Sequence, residues 1–282
     1  MPNASSQNAR VVDSGGDRER APPPPGVLRV MSFNVHSCIG TDGTLSPGHI
    51  AHAIARQRPH IVALQEVDVS RARTGRQDQA RVIARTLEMA YYFHPSLEVQ
   101  EEEYGNVILT TLPMRLIKAG ALPGLPDDPG REPRGALWVT IEFEGNDVQV
   151  LNTHLGLSNR ERLAQAACLV GKDWLDHPRQ GSPLILCGDF NAIPASRVIR
   201  TIRTRIGDAQ RLLTGHRPRA TFPSRWPVLR IDHIFVDRGL QVIAVVVPRS
   251  ASTRTASDHL PLVADLRLIK RTVEPGLLSE SD

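Results

Sequence analysis

Short apolar runs that break off on a polar residue recur along this chain, and that repeated ending restricts its fold more than any other feature. The clearest run is Leu184-Ile185-Leu186-Cys187-Gly188-Asp189-Phe190-Asn191. It is too brief for a helix and turn residues follow at once, so it reads as a buried strand. Gly188 lets the backbone turn and come close to a neighbouring group. In extended chain Asp189 and Asn191 leave the same face, and Phe190 points back into the core. A turn in which the Asp and Asn side chains bond their own backbone accounts for the same letters. The other runs shift the balance: residues 27–34 end on Asn34, 61–66 on Glu66, 148–154 on His154 and 230–233 on Asp232 and His233. Ser257-Asp258-His259 stands just before a further strand, 260–268.

Between these runs the spacing predicts helices over 47–57, 78–89, 158–175 and 195–206, with Pro47 after Ser46 and a Ser158/Glu161 capping box as start signals. Further strands are expected at 91–93, 104–109, 115–117 and 134–141, the last joined to 148–154 through Gly145-Asn146-Asp147. Strands outnumber helices and several are linked by hairpin-length turns. The expected fold is therefore α/β, with two mixed sheets packed face to face and helices outside. Residues 1–26, which include Pro22 to Pro25, read as a disordered leader; 27–270 read as one domain and 271–282 as a frayed tail.

Composition excludes some classes. With 282 residues, 40% of them hydrophobic, the chain can bury a large core. Cys38, Cys168 and Cys187 form no C-x-x-C pair, which argues against a disulfide framework or a zinc knuckle. The polar stretch 1–21 and the brief apolar run 242–247 offer neither a signal peptide nor a membrane span, so the expected setting is the cytoplasm. A net charge of +4 favours anionic partners only weakly. Nearly all the basic residues are arginines, which suit bidentate phosphate binding but also follow from a GC-rich genome. Aromatic residues, at 4%, argue against extensive stacking on single-stranded nucleic acid.

Asn34 and Glu66 supply hard oxygen donors, which suit Mg²⁺, with Mn²⁺ as an alternative. His259 has carboxylate partners in Asp258 and Asp232, whereas His233 should face away from Asp232 along its strand. Arg73 in the basic loop 70–76, Tyr104, Asn106 and Arg134 are candidate substrate contacts. Phosphate-ester hydrolysis needs on the order of 20 kcal/mol of barrier lowering, and one acid or base supplies only roughly 3–5 kcal/mol. Such chemistry therefore calls for a metal and several donors focused on one phosphoryl group.

Taken together, Ser32-Phe33-Asn34, Leu64-Gln65-Glu66-Val67-Asp68, Tyr104-Gly105-Asn106, Asn152-Thr153-His154, Gly188-Asp189-Phe190-Asn191, Ile231-Asp232-His233 and Ser257-Asp258-His259 resemble the endonuclease/exonuclease/phosphatase (DNase I-like) superfamily over about residues 27–270. The resemblance implies a four-layer α/β/β/α sandwich and a Mg²⁺-dependent phosphoesterase that cleaves a phosphodiester of nucleic acid, a phospholipid headgroup or a small molecule by in-line attack of water. It implies Glu66, Asn34 and Asp258 at the metal, Asp189 positioning or deprotonating the water, and Asn191 and His154 on phosphate oxygens. His259, oriented by Asp232, would contact the scissile phosphate or act as acid and base. The Thr153-His154 form resembles the sphingomyelinase, phosphatase and DNase I branches more than abasic-site enzymes. A non-catalytic member that binds a phosphorylated ligand or a protein partner is the alternative.

Overall fold

A computed structural model describes residues 19–128, 130–175 and 182–269. In chain order the elements are β1 (Leu28–Asn34), α1 (Pro47–Ala55), β2 (Ile61–Val69), α2 (Gln79–Leu87), β3 (Ala90–Val99), β4 (Glu102–Thr110), β5 (Met114–Ala121), β6 (Gly135–Phe143), β7 (Asn146–His154), α3 (Asn159–Leu169), β8 (Leu184–Asp189), α4 (Arg197–Ile202), β9 (Gly207–Asp208), α5 (Ala209–Leu212), β10 (Asp232–Val236), β11 (Leu240–Val246), α6 (Ala251–Ala256) and β12 (Leu262–Leu268). The strands form two six-stranded mixed sheets, ordered β11-β12-β1-β2-β4-β3 and β5-β6-β7-β8-β10-β9. The parallel pairs are β1 with β2 and β7 with β8.

Strand alternation explains the layering. In β1, Leu28 and Val30 join Ile61 and Ala63 of β2 against Val150, Ile185 and Ile234 of the other sheet. The intervening Met31, Phe33, Val62 and Leu64 face outward and are covered by Ile50 and Ile54 of α1 and Ile83 of α2. On the second sheet Leu151, Leu186 and Phe235 face outward beneath α3 and α4. The result is the expected four-layer α/β/β/α sandwich. Each fully buried phenylalanine (Phe33, Phe190 and Phe235) contributes roughly 1.5–3 kcal/mol through burial.

Several expected boundaries move. β3 extends well beyond 91–93 because its whole length pairs with β4. α3 stops at Leu169, short of 175. Its Ser158 side chain makes no capping bond, and Glu161 instead accepts from Gln165, so the capping box does not form. α4 is confined to Arg197–Ile202, with Ser196 as its cap. The short α5 and α6 went unforeseen, since each is too brief to show a period. Part of the expected leader lies against the domain: Arg20 pairs with Asp265, and the Ala21 carbonyl accepts from Arg29. Residues 1–18 and the expected tail, 271–282, fall outside the described residues.

One buried ionic cluster sits behind the second sheet. Asp208 accepts from Arg230 and lies 3.7 Å from His233 Nδ1. Burial would raise the Asp208 pKa, but His233 and Arg230 outweigh it and hold it below the ordinary carboxylate value. A depressed folded pKa means stability present above about pH 4 and lost as acid titrates the folded carboxylate. Asp208→Asn should cost roughly 3–5 kcal/mol near neutrality, because Arg230 stays buried without its counter-charge. Urea unfolding at several pH values would check this, and the difference from wild type should shrink as pH falls.

Candidate active site

The site lies where the inward-facing rows of both sheets reach one rim. Asp189 closes β8, and its register partners on the neighbouring strands are His154 of β7 and Asp232 of β10. These three residues share the parity of the inward-facing Val150, Ile185 and Ile234, so their side chains form one row above the apolar core. Below them Gln65 Nε2 donates to Asn152 Oδ1 across the sheets at 2.7 Å. Asn152 Nδ2 in turn donates to the carbonyls of Leu64 and Val107. This polar layer pins the two sheets beneath the site.

Glu66 arrives differently. Alternation alone would put it on the helix-covered face with Val62 and Leu64. The β2–β4 register shifts between Leu64 and Val67, and Glu66 takes a left-handed φ of 59°. The bulge turns its carboxylate to the rim, a common role for bulges beside functional sites. Asn34, at the end of β1, donates from Nδ2 to Glu66 Oε1 at 2.8 Å and to Asp189 Oδ2 at 3.0 Å. Its Oδ1 accepts from the His36 backbone at 3.0 Å.

Asp189 Oδ2 is the hub, 3.6 Å from His154 Nε2 and 3.7 Å from His259 Nε2. Its Oδ1 accepts from the Asn191 backbone at 2.8 Å. The turn reading of this stretch holds on Oδ1, while Oδ2 faces Asn34, His154 and His259. Burial, then the neighbouring Asp232, pushes the Asp189 pKa upward. Asp232 Oδ2 accepts from His259 Nδ1 at 2.9 Å. Burial alone would lower the His259 pKa, but Asp232 and then Asp189 raise it to about 10, so this imidazole is charged at neutral pH. For Glu66, burial is outweighed by His36, His154 and Asn34, which hold the carboxyl well below its usual range.

His154 is neutral: burial, then Arg134, pushes its pKa down to about 3. Arg134 Nη1 lies 3.1 Å from His154 Nδ1. A guanidinium always donates, so Nδ1 accepts and the ring proton sits on Nε2. That Nε2–H stands 3.1 Å from Asn191 Nδ2, whose amide also donates to the Leu155 carbonyl. The two nitrogens are thus in contact, with Asp189 Oδ2 3.6 Å from His154 Nε2.

Of the remaining candidates, Asp258 lies at the rim with Oδ1 3.7 Å from His36 Nδ1. Arg73 forks onto buried Asp68 at 2.7 and 2.8 Å, donates to Ser37 and stacks over Tyr104. Asn106 donates to the Gly135 carbonyl of the opposite sheet. Arg134 is buried between His154 and Glu132. His233 faces the other way, onto Phe235 and the Ala192 carbonyl. Sequence reasoning missed His36, Gln65 and Ser257, whose hydroxyl donates to the Asn34 carbonyl. The Ser257 signal was present, one residue before a candidate ligand; Gln65 and His36 carried none that alternation could reveal.

The Endonuclease/Exonuclease/phosphatase family profile matches residues 31–259, a span that contains every candidate site residue. The chain belongs to that family. Members of the endonuclease/exonuclease/phosphatase family hydrolyse phosphoesters. An Escherichia coli K12 relative, the uncharacterized protein YbhP, is 30% identical over 171 residues, which is 60% of this chain and 64% of that protein. Among solved structures, an endonuclease/exonuclease/phosphatase from Beutenbergia cavernae is 25% identical with a TM-score of 0.66, covering 86% of this chain and 72% of that one. A Bacteroides thetaiotaomicron mannosyl-6-phosphatase shares the fold at 20% identity and a TM-score of 0.68, covering 85% and 99%. Among the described residues no helix is long and apolar enough to cross a membrane.

Two sets of ligand-type atoms have all members within 4.8 Å of one another: Glu66, His154 and Asp189, and Asp189, Asp232 and His259. Asp232 Oδ1 is buried without a hydrogen-bond partner. Carboxylate donors with few imidazoles fit a hard divalent cation better than zinc.

Proposed function

We propose that this protein is a divalent-cation-dependent phosphoesterase, using Mg²⁺ or Mn²⁺ to hydrolyse a phosphodiester by in-line attack of water. The observation that carries the reading is the convergence of Glu66, His154, Asp189, Asp232 and His259 at one rim, in two overlapping sets whose ligand-type atoms lie within 4.8 Å of one another. A fixed His154 Nε2–H beside the Asp189 carboxylate makes a seat for an anionic oxygen, and alignment before reaction is what lets such a seat stabilise developing charge. Arg134 keeps the His154 proton on the atom that faces the seat.

Asp189 orients the attacking water and takes its proton; its raised pKa suits a base working near neutrality. His259, held charged by Asp232, donates from Nε2 to the phosphoryl group or its leaving oxygen. Glu66, with Asp258 at the open side of the rim, would hold the cation, which supplies charge neutralisation at the phosphoryl oxygens. Asn34 fixes the separation of Glu66 and Asp189 by donating to both.

The test is turnover of bis-(p-nitrophenyl) phosphate with and without Mg²⁺ or Mn²⁺, followed by a panel of duplex and abasic DNA, RNA, sphingomyelin, phosphatidyl lipids and inositol phosphates. Metal-dependent turnover lost in Glu66→Ala supports the reading; a well-folded protein inert on every ester would favour a non-catalytic phosphate binder. Arg134→Met should lower kcat about 10²-fold with a smaller change in KM, because the seat survives while the His154 tautomer is no longer enforced. Steady-state kinetics on the best substrate would measure the split.

A further inference from the structure

The three most exposed large apolar side chains among the described residues, Trp226 (81%), Val228 (76%) and Leu157 (70%), all lie on loops that leave the rim of the site. Leu157 follows the end of β7 at His154. Trp226 and Val228 share the loop between α5 and β10 with a further exposed residue, Leu229. That loop closes on itself: Phe222 and Leu229 bridge, and the Val228 and Leu229 amides both donate to the Phe222 carbonyl. Pro223 and Pro227 stiffen it. Its base is fixed to the site. The Phe222 ring lies 4.8 Å from the His259 ring, the Ser224 amide donates to the Asp258 carbonyl at 2.6 Å, and Arg225 Nη2 donates to the Thr41 carbonyl at 2.8 Å.

Single exposed apolar residues are ordinary on a protein surface, but Trp226, Val228 and Leu229 gathered on one braced loop mark a docking face. Charge says what docks there. From Ala209 to Ile231 the chain has no Asp or Glu and five arginines. Only Arg230 has a carboxylate partner among the described residues, Asp208; Arg211, Arg217, Arg219 and Arg225 are exposed. A tryptophan suits the boundary between headgroups and acyl chains, aliphatic neighbours add buried area there, and unpaired arginines suit anionic headgroups. A single-stranded nucleic acid would instead be met by stacking rings, and here aliphatic side chains accompany one ring.

We propose that the loop over residues 222–229 docks this protein on an anionic lipid bilayer. Trp226, Val228 and Leu229 enter the headgroup layer, and Arg217 and Arg219 meet its phosphates. Because Phe222 at the base of the loop touches His259, a docked tip brings the site close to that layer, where the phosphodiesters are those of lipid headgroups. Docking stands on the loop alone; only the choice of ester rests on the phosphoesterase reading. Apolar burial and charge both contribute, so binding should strengthen with anionic lipid and weaken with salt. Trp226 is its own reporter, since Trp138 and Trp174, the other two tryptophans, are buried.

The test sediments full-length protein with vesicles of phosphatidylcholine, alone or mixed with phosphatidylglycerol. Binding should need the anionic lipid and shift tryptophan emission to the blue, with quenching by brominated acyl chains. Val228→Asp keeps the reporter and should weaken binding at least about tenfold, as should Trp226→Ala. Arg217→Gln combined with Arg219→Gln should weaken it roughly 20-fold, and on anionic vesicles only. Unchanged circular dichroism would show that each variant folds. Wild-type protein left in the supernatant with anionic vesicles, or variants that bind as wild type does, would overturn the proposal. A shift with duplex or single-stranded DNA and none with vesicles would also overturn it and make the partner a nucleic acid. Docking without hydrolysis of either lipid or of bis-(p-nitrophenyl) phosphate would keep the role of the loop and remove the esterase. Turnover of the dissolved ester without docking would do the reverse.

Discussion

Replacing His259 with asparagine should reduce phosphoester turnover by on the order of 10³-fold while leaving the fold intact, since one charged donor at a reacting phosphoryl group is worth about 10²–10³ in kcat and acid catalysis adds to it. Asparagine keeps a donor of similar reach without the charge. Its partner offers a sharper test. Asp232 is the strongest influence raising the His259 pKa, to about 10. Activity that needs the charged ring should hold through neutrality and fall on the alkaline side as pH approaches that value. Asp232→Asn removes the charge that favours the imidazolium, so the alkaline limb should move to lower pH. The double variant should be little worse than His259→Asn alone, because the two residues act as a unit. A kcat–pH profile of the three proteins on one substrate would decide the matter; an unmoved alkaline limb in Asp232→Asn would remove His259 from the charged role.

The second large effect is structural. Gly188→Ala should destabilise the protein by more than about 4 kcal/mol, or prevent soluble accumulation altogether. At this position φ is 144°, and an added Cβ would stand 1.8 Å from the Thr153 carbonyl oxygen. That carbonyl belongs to β7, the parallel partner that carries His154 opposite Asp189. Relief of the clash requires β7 and β8 to part, which would separate Asp189 from His154. Gly75 is the control: it also has a positive φ, 67°, but nothing lies within 4 Å of an added Cβ. Gly75→Ala should cost only about 1–2 kcal/mol, the conformational part alone. Thermal unfolding of both variants separates backbone conformation from strand contact.

Much of the site could be read from the letters because strand alternation is local. Asn34, His154, Asp189 and Asp232 each end an inward-facing row, and the parity that points Val150, Ile185 and Ile234 into the core carries these side chains with it. The same rule sent His233 to the opposite face, where Phe235 stacks on it. Helix ends were less legible. Ser46 and Asp78 cap α1 and α2 as their letters suggest, but Ser158 makes no such bond and α3 stops at Leu169. The chemistry of Arg73 and Arg134 was also hidden. An arginine's letter shows a charge and not its partner, and here the partners are Asp68 for one and His154 with Glu132 for the other.

The sequence by itself determined that polar groups of the right chemistry would stand at the ends of buried strands, since apolar runs of strand length must lie inside and their terminal residues must emerge at an edge. Only the tertiary structure decided which of those groups meet, and how. A bulge against β4 swings Glu66 to the rim, a left-handed turn braced by Arg73 and Gln79 lays His36 over it, and a guanidinium from β6's edge sets the tautomer of His154. Each depends on pairing between segments far apart in the chain, where register and closest approach are settled by the packing of whole sheets and not by any residue's neighbours in sequence.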